Sequence, residues 1–429
     1  MKMSMSCLFF VLCCLGTMEA NTEINPRWRL KTWTLHTLSG YTGYPYYKWP
    51  EVYVDATNRP IVLFYFVFRD GDSFKEQIIL FVLDKGAWVE SKGLLPDNSF
   101  CSGMIKDGAF CAYSVNFPQS DVRRAIISVY GLDSNAKLIA EPIRTFDIET
   151  DKAYTTKLMS VKGDPDRFFV VGQRQESRLL NPITFIAFLT TAGHAGFVWK
   201  PFGAIVEQKK ITNYYNTPEK LETDEASRIE DTVQSGSNIL CISTKDMPYG
   251  SEATSIQYLS FDLTKRCWIE PVQLFQGHKK SGIFETISSP TLTSDGKNIY
   301  CTWSWNVQVM INNEYVPKEE TGIYFCDKIA DHWNKPVKLA DSGYNPQVFI
   351  DNKQVVHVVW SDDKGLCHKD MTATGWTETE LIIKDKRISI RESPSVAVDK
   401  DGNLYITYVR EKQLSLPAEL VCLKLFSSP

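Results

Sequence analysis

The stretch Pro394-Ser-Val-Ala-Val-Asp399-Lys-Asp-Gly-Asn-Leu-Tyr-Ile-Thr-Tyr408 predicts two strands joined by a tight turn. Proline enters the first strand, aspartate begins the turn, and an aromatic residue closes the second strand. The same spacing from proline to aspartate recurs at Pro50 and Asp55, Pro290 and Asp295, and Pro346 and Asp351. The closing aromatic residues are Phe64, Trp303 and Trp360. A phrase repeated in this way predicts an architecture built from similar units.

Seven such units can be aligned, at intervals of roughly 50 to 70 residues. Their predicted first strands are 51–54, 102–105, 157–161, 231–234, 291–293, 347–350 and 395–398. Third and fourth strands follow, and a tryptophan is predicted to introduce the fourth strand at Trp88, Trp199, Trp268, Trp333 and Trp376. Four antiparallel strands per unit, arranged around an axis, predict an all-β fold of the β-propeller type with seven blades.

The two ends of the chain predict how the ring closes. The last unit has only three strands and ends with 420–426, whereas an unassigned strand precedes the first unit at 27–37. We expect this N-terminal strand to complete the seventh blade, since an open ring would expose strand edges. Six blades plus an extra β element is the alternative, because the third and fourth units match the repeat weakly.

Residues 1–20 have the pattern of a signal peptide, with Lys2 before an apolar run from Cys7 to Leu15 and a cleavage point after Ala20. A membrane anchor is the competing interpretation, although the run is about half of the roughly 20 residues that span a bilayer. We therefore predict a secreted, extracellular protein with one propeller domain over 21–429 and no membrane insertion. The net charge of -4 argues against nucleic acid as a partner.

Eight cysteines follow residue 20, and export would permit disulfides. Cys101 and Cys111 flank a predicted hairpin turn, and Cys301 and Cys326 fall on adjacent predicted strands. These two pairs are the predicted disulfides. Buried free thiols are the alternative, and no cysteine cluster has the spacing of a zinc site.

Two phrases carry a family resemblance. Ser393-Pro-Ser-Val-Ala-Val-Asp399 and Ser361-Asp-Asp363-Lys-Gly365 resemble the repeats of sialidase-like propellers, the second being similar to an Asp-box with His368 in place of its tryptophan. The resemblance implies a propeller. It would also imply arginines gripping a carboxylate and a Tyr/Glu pair, but no Arg-Ile-Pro sequence lies near the first blade, so the family's catalytic set is not carried over.

Loops that enter the first strands should gather on one face of a propeller, where binding sites usually lie. A tyrosine-rich loop at 40–49 offers exposed aromatic rings to a sugar or a peptide. Self-packing of this loop between blades is the competing interpretation. The predicted ligand-binding residues are Tyr46, Tyr47, Trp49, Arg69, Tyr214, Tyr215 and Arg391.

Four carboxylates stand at the entrances of first strands and are the candidates for catalysis: Glu51, Asp231, Glu285 and Glu392. Two of them could act as the acid and nucleophile of a glycosidase. They could equally cap loop amides or bind calcium; otherwise no cofactor and no metal are predicted. The turn aspartates lie at the opposite ends of the strands, and His357 is interpreted as a core residue.

These features predict a secreted propeller that binds a glycan or glycoprotein through its loop-rich face, without catalysis. A divergent glycoside hydrolase or lyase that uses the rim carboxylates is one alternative. An extracellular protein-interaction platform is another, because the same architecture hosts enzymes and binding proteins.

Overall fold

The computed structural model describes most of the predicted repeat region. The described residues are 29–37, 46–70, 73–94, 99–116, 124–149, 153–160, 167–177, 197–207, 210–214, 226–247, 251–278, 283–311, 314–390, 392–411 and 418–426. The predicted signal peptide, Tyr215 and Arg391 lie outside these ranges. Within them the chain is all-β, and no helix long and apolar enough to cross a membrane is present.

The strands pair into seven antiparallel sheets, each built mainly from consecutive strands. The first blade comprises β2 (Tyr46–Val54), β3 (Pro60–Asp70), β4 (Ser73–Asp84) and β5 (Ala87–Leu94). The second comprises β6 (Ser99–Lys106), β7 (Ala109–Asn116), β8 (Arg124–Tyr130) and β9 (Arg144–Glu149). The third comprises β10 (Ala153–Ser160), β11 (Arg167–Ser177), β12 (Phe197–Glu207) and β13 (Lys210–Tyr214).

The remaining blades follow the same order. The fourth comprises β14 (Ala226–Ser235), β15 (Asn238–Met247), β16 (Ser251–Asp262) and β17 (Cys267–Gln276). The fifth comprises β18 (Ile283–Ser294), β19 (Ile299–Ile311), β20 (Glu314–Pro317), β21 (Gly322–Ile329), β22 (His332–Trp333) and β23 (Val337–Ala340). The sixth comprises β24 (Tyr344–Ile350), β25 (Val356–Asp362), β26 (Gly365–Thr372), β27 (Gly375–Trp376) and β28 (Glu380–Lys384). The seventh comprises β29 (Ser395–Val398), β30 (Leu404–Arg410), β31 (Glu419–Phe426) and β1 (Arg29–Thr37).

The first strands of the seven sheets form a closed ring. Along the chain β2, β6, β10, β14, β18, β24 and β29 each contact the next, and β29 contacts β2. The N-terminal strand β1 pairs antiparallel with β31, from Arg29 opposite Phe426 to Thr37 opposite Glu419. The predicted seven-bladed propeller, closed by its N-terminal strand, is therefore confirmed.

The aromatic residues that close the second strands form the centre of the packing between blades. Phe64, Trp303, Trp360 and Tyr408 are among the largest side chains that are less than 2% exposed. Tyr408 packs with apolar residues of both the sixth and the seventh blade. The second strands are apolar on both faces because each blade is covered by a neighbour on either side.

The turn aspartates have the role that the sequence predicts. At Asp55, Asp351 and Asp399 one carboxylate oxygen accepts backbone N–H groups from the residues two and four positions later, at 2.8–3.0 Å. Burial alone would raise the pKa of Asp55, but hydrogen bonds from Thr57 and Arg59 outweigh it and lower that pKa below its usual value. These carboxylates hold the inner hairpins of the first, sixth and seventh blades.

The predicted disulfides are absent, and none of the eight cysteines of the described region is in a disulfide. The turn at Asp107 and Gly108 pairs Cys111 with Met104, so that Cys101 lies opposite Ser114 instead. Cys301 does lie opposite Cys326. The Cys326 thiol, however, donates to the Asn334 carbonyl at 3.1 Å, and burial raises its pKa to about 12. Seven of the eight cysteines are buried, as the alternative interpretation expects.

The predicted tryptophan position is confirmed in four blades and wrong in one. Trp88 and Trp268 lie in fourth strands, and Trp333 and Trp376 lie in the short segments β22 and β27 beside the third strand. Trp376 packs edge-on against Phe325 of the preceding blade, with ring centroids 4.8 Å apart. Trp199 instead belongs to β12, the third strand of its blade. Because the repeat is weak in this blade, the boundary between its third and fourth strands was predicted incorrectly.

Candidate functional site

Several blades extend beyond the ring at the end where the inner strands begin, which we call the entry face. One such projection belongs to the fifth blade. There, residues 283–288 of β18 pair with 304–309 of β19, and residues 308–311 of β19 pair with β20. We call residues 283–288, 305–311 and 314–317 the fifth-blade extension. It forms a small three-stranded sheet above the regular blade.

One surface of the fifth-blade extension is aromatic and open to solvent. Strand pairing puts Phe284 beside Gln308, and Met310 beside Tyr315, on the same side of this small sheet. Phe284, Met310 and Tyr315 are 46%, 49% and 51% exposed. The two aromatic rings meet edge to face with centroids 4.8 Å apart. This contact holds both rings in defined positions and leaves about half of each residue accessible.

The opposite surface of the extension contains the predicted carboxylate Glu285. This residue is 8% exposed. Its oxygens accept the backbone N–H of His278 at 2.8 and 2.9 Å, and the indole N–H of Trp305 donates to it at 3.3 Å. The His278 ring lies against Trp305, with centroids 5.2 Å apart, and its Nε2 is 3.5 Å from the Glu320 carboxylate. Glu285 thus anchors the segment that leads into the fifth blade.

Two other predicted carboxylates connect neighbouring blades. Four hydrogen bonds follow one pattern. A side chain on the inner strand of one blade accepts a backbone N–H from the inner strand of the next blade. The donor is the residue that comes one position after the equivalent of the acceptor. The four pairs are Ser395 with Val52 at 3.1 Å, Glu51 with Gly103 at 3.1 Å, Asp231 with Leu292 at 3.1 Å, and Thr291 with Val348 at 3.3 Å. Glu51, Asp231 and Thr291 each follow a bulge in the inner strand. Glu51 and Asp231 therefore act as clamps between blades.

Replacing Asp231 by Ala is expected to lower the free energy of unfolding by about 1–3 kcal/mol, because the buried N–H of Leu292 loses its acceptor. Replacement by Asn keeps an oxygen acceptor and should cost less than half as much. Urea denaturation of both variants measures the difference. If Asp231→Ala were as stable as the wild type, the clamp interpretation would be wrong.

The predicted ligand-binding residues are spread over several elements. Tyr46, Tyr47 and Trp49 belong to β2 and not to a loop, and the backbone of Tyr46 pairs with Val67. Arg69 lies on β3, near the tip of the same first-blade projection. Tyr214 ends β13, the outermost strand of the third blade. The tyrosine-rich stretch predicted as an exposed loop is therefore, from Tyr46 onward, part of a strand.

Glu392 lies near the end of the connection between β28 and β29, which leads into the seventh blade. Its backbone N–H donates to the Ser389 hydroxyl at 3.3 Å, and Ser389 in turn bonds the Glu411 carboxylate at 2.8 Å. The connection is thereby tied to the end of β30. These contacts place Glu392 in the linkage between the sixth and seventh blades.

A group of buried titratable residues in the sixth blade is the described site best suited to a metal ion. His357 of β25 lies opposite Asp370 of β26, and His368 is two residues before Asp370 on the same side of the sheet. The Asp370 Oδ1 atom is 2.6 Å from His357 Nδ1 and 2.8 Å from His368 Nε2, and these two nitrogens are 3.1 Å apart. All three residues are buried.

The ionisation of this group follows from its contacts. Burial would raise the pKa of Asp370, but the two imidazoles outweigh it and hold that pKa far below its usual value. Burial would lower the pKa of His368, whereas its contacts with Asp370 and Glu380 raise it. The sequence interpretation of His357 as a core residue is correct as to burial, but it did not identify the neighbours. The register of β25 against β26 could have revealed them, because it puts both histidines and the aspartate on one side.

Comparison with known proteins yields similarity in structure alone. No family model matches the chain, and no curated protein matches it in sequence. Similar solved structures include a protein of unknown function from Dyadobacter fermentans, at TM-score 0.49 and 10% identity over 94% of this chain and all of that one. An α-L-arabinanase from Penicillium chrysogenum, complexed with arabinobiose, has TM-score 0.45 and 8% identity over 89% of this chain and 93% of that one. A polysaccharide lyase of family PL25, an ulvan lyase, has TM-score 0.42 and 12% identity over 72% and 77%. The site is therefore interpreted from its own geometry.

Proposed function

We propose that this protein is an exported propeller that binds a carbohydrate, free or on a glycoprotein, through the aromatic surface of the fifth-blade extension. The observation that carries the proposal is the exposed pair of Phe284 and Tyr315. Flat aromatic rings offer an apolar face to the C–H groups of a sugar, and the tyrosine hydroxyl can bond its edge. The contact between the two rings fixes them before a ligand arrives, which reduces the entropy lost on binding.

The surroundings of this aromatic pair favour an elongated ligand over a buried small molecule. The surface is open, it projects from the ring, and Gln308 and Pro317 continue it along the same side of the sheet. The first blade carries a second projection whose β2 segment contains Tyr46 and Tyr47. We expect the affinity for an oligosaccharide to increase with its length, as more sugar units reach the exposed surface.

We expect the protein to act by binding and not by catalysis. Of the candidate carboxylates, Glu51 and Asp231 bond the next blade, and Glu285 is buried on the covered surface of the extension, where the Trp305 indole and the backbone N–H of His278 donate to it. A glycosidase needs two carboxyl groups about 5 Å apart, or further apart for an inverting enzyme, on either side of the scissile bond. The described contacts of these residues support structural roles.

Glycan-array binding of the full chain tests the proposal. We expect Phe284→Ala and Tyr315→Ala each to weaken binding at least about tenfold, since each removes one ring of the pair. The matched control is Ile329→Ala, because Ile329 is 40% exposed at the end of β21 and lies outside the extension. Wild-type binding that both aromatic variants retain would refute this site.

The same preparation distinguishes the alternative functions. Release of product from a panel of polysaccharides, lost in Glu285→Gln, would show a hydrolase or lyase in place of a binding protein. A partner retained from extracellular material after enzymatic removal of its glycans would show a protein-interaction platform. Either result would overturn the proposal of carbohydrate binding without catalysis.

A further inference from the structure

The buried group in the sixth blade has a geometry that the proposed function does not use. We propose that His357, His368 and Asp370 bind one divalent transition-metal ion of the zinc class, which ties together the strands of this blade. The site would be structural and separate from the fifth-blade extension, so that loss of glycan binding would leave it untouched.

Three donor atoms converge here on one point. His357 Nδ1, His368 Nε2 and Asp370 Oδ1 are separated from one another by 2.6, 2.8 and 3.1 Å. An ion about 2.1 Å from each donor would see them at angles of roughly 75–95°. Such angles describe three neighbouring positions on one side of a coordination sphere, as in sites with two histidines and one carboxylate.

The far nitrogens of both imidazoles face carboxylates from the β24–β25 turn and from β28. His357 Nε2 is 3.4 Å from Asp351 Oδ2, and His368 Nδ1 is 3.6 Å from Glu380 Oε2. In metal sites, a carboxylate at the second nitrogen holds the ring proton there and leaves the first nitrogen free to coordinate. Each imidazole of the sixth blade has a carboxylate within ion-pair distance of its far nitrogen, and its near nitrogen lies beside Asp370.

The kind of ion follows from the donor atoms. Two imidazole nitrogens with one carboxylate oxygen suit zinc and neighbouring transition metals, whereas calcium and magnesium prefer oxygen donors. Calcium, which the sequence suggested only for the rim carboxylates, therefore does not suit these three ligands. Burying a carboxylate charge without a close partner costs free energy. A divalent ion would also offset the negative charge of the buried carboxylates here.

The environment supports a structural ion over a catalytic one. The Phe349 ring stacks on the His357 ring, with centroids 4.9 Å apart and planes 8° from parallel. His357, His368 and Asp370 are 6%, 0% and 5% exposed. The ligands and their supporting carboxylates come from the β24–β25 turn, β25, β26 and β28. One ion would thus link the inner hairpin of the blade to its outer strand.

Metal content and metal titration of the full chain test this site. After treatment with a chelator and dialysis, we expect added Zn²⁺ to bind with one equivalent per chain in calorimetry and to raise the Tm. Co²⁺ bound in its place should give visible absorption bands, which report coordination by protein ligands. Ca²⁺ and Mg²⁺ should produce neither effect.

Variants separate the metal site from a metal-free network of imidazolium and carboxylate groups. We expect Glu380→Gln to weaken Zn²⁺ binding 10–100-fold, as for other residues that support a metal ligand. Asp370→Asn should abolish the Co²⁺ bands. His332→Ala is the matched control because His332 is an exposed histidine of the fifth blade, and it should leave both measurements unchanged.

The wild-type and Glu380→Gln measurements decide the question even if a ligand variant fails to fold. Less than about a tenth of an equivalent of Zn²⁺, no Co²⁺ bands and no rise in Tm would overturn the proposal. Zn²⁺ binding that Glu380→Gln and Asp370→Asn leave unchanged would assign the ion to another part of the chain and would equally overturn it.

Discussion

Replacing Gly365 by Ala is expected to lower the free energy of unfolding by about 3–6 kcal/mol, among the largest effects of any single methyl group in this chain. Gly365 has φ +152°, a conformation that residues with a side chain rarely adopt. A Cβ atom there would collide with the carbonyl oxygen of Ile383 and lie 3.0 Å from the backbone nitrogen of Asp385. Both obstacles are backbone atoms held by the pairing of β26 with β28, so neither can move without breaking the blade.

Gly375→Ala is the matched control for this prediction. Gly375 lies in the same blade at φ +118°, but an added Cβ would meet nothing within 4 Å. Gly375→Ala should lower the free energy of unfolding only by the cost of backbone strain, about 1–3 kcal/mol. Urea or thermal denaturation of the two variants compares the effects directly. Equal losses would mean that strain alone, and not the contact with Ile383, explains the requirement for glycine.

Gly365 also shows what the Asp-box-like phrase contributes. The phrase predicts a tight turn, and Asp362 does bond the N–H of Lys364 at 3.1 Å. It does not predict that the turn glycine faces the backbone of the fourth strand. Gly322 repeats this feature in the fifth blade, where an added Cβ would collide with the carbonyl oxygen of Ala340. Contacts between strands that are distant in sequence depend on register, which a local phrase does not encode.

The fold was predictable because its signals are local and repeated. The inner hairpins of the first, sixth and seventh blades each contain a turn aspartate, and the same hydrogen bonds recur two and four residues after Asp55, Asp351 and Asp399. Closure by the N-terminal strand followed from counting strands, since the last blade lacked one. Where the repeat weakens, in the third blade, the prediction for Trp199 was wrong.

The candidate site was less predictable because it depends on contacts between blades. The sequence places Glu51 and Asp231 at the entrances of inner strands, but it cannot show that each carboxylate accepts an N–H group of the next blade. Nor does it indicate that 283–288 extends above the ring and exposes Phe284. The sixth-blade histidines lie eleven residues apart on different strands, and only the register of β25 and β26 brings them together.

Replacing Trp303 by Ala is the second large expected effect, with a loss of about 3–5 kcal/mol in the free energy of unfolding. Trp303 is fully buried in the cluster that joins the fourth and fifth blades. Its ring lies near Phe275 and Tyr324, with centroids 5.5 and 6.1 Å away. These neighbours belong to sheets held on both sides, so the cavity left by the indole could not collapse.

Trp303→Phe separates the contribution of volume from that of the indole N–H. Within the described part of the chain the Trp303 Nε1 atom has no hydrogen-bond partner, so Phe removes a buried donor while keeping most of the apolar contact. We expect it to cost less than about 1.5 kcal/mol. Urea denaturation measures both variants, provided that the dependence of the free energy of unfolding on urea concentration keeps the wild-type slope. A loss for Trp303→Phe as large as for Trp303→Ala would show that the N–H group is bonded, and that the closing aromatic residue does more than fill the space between blades.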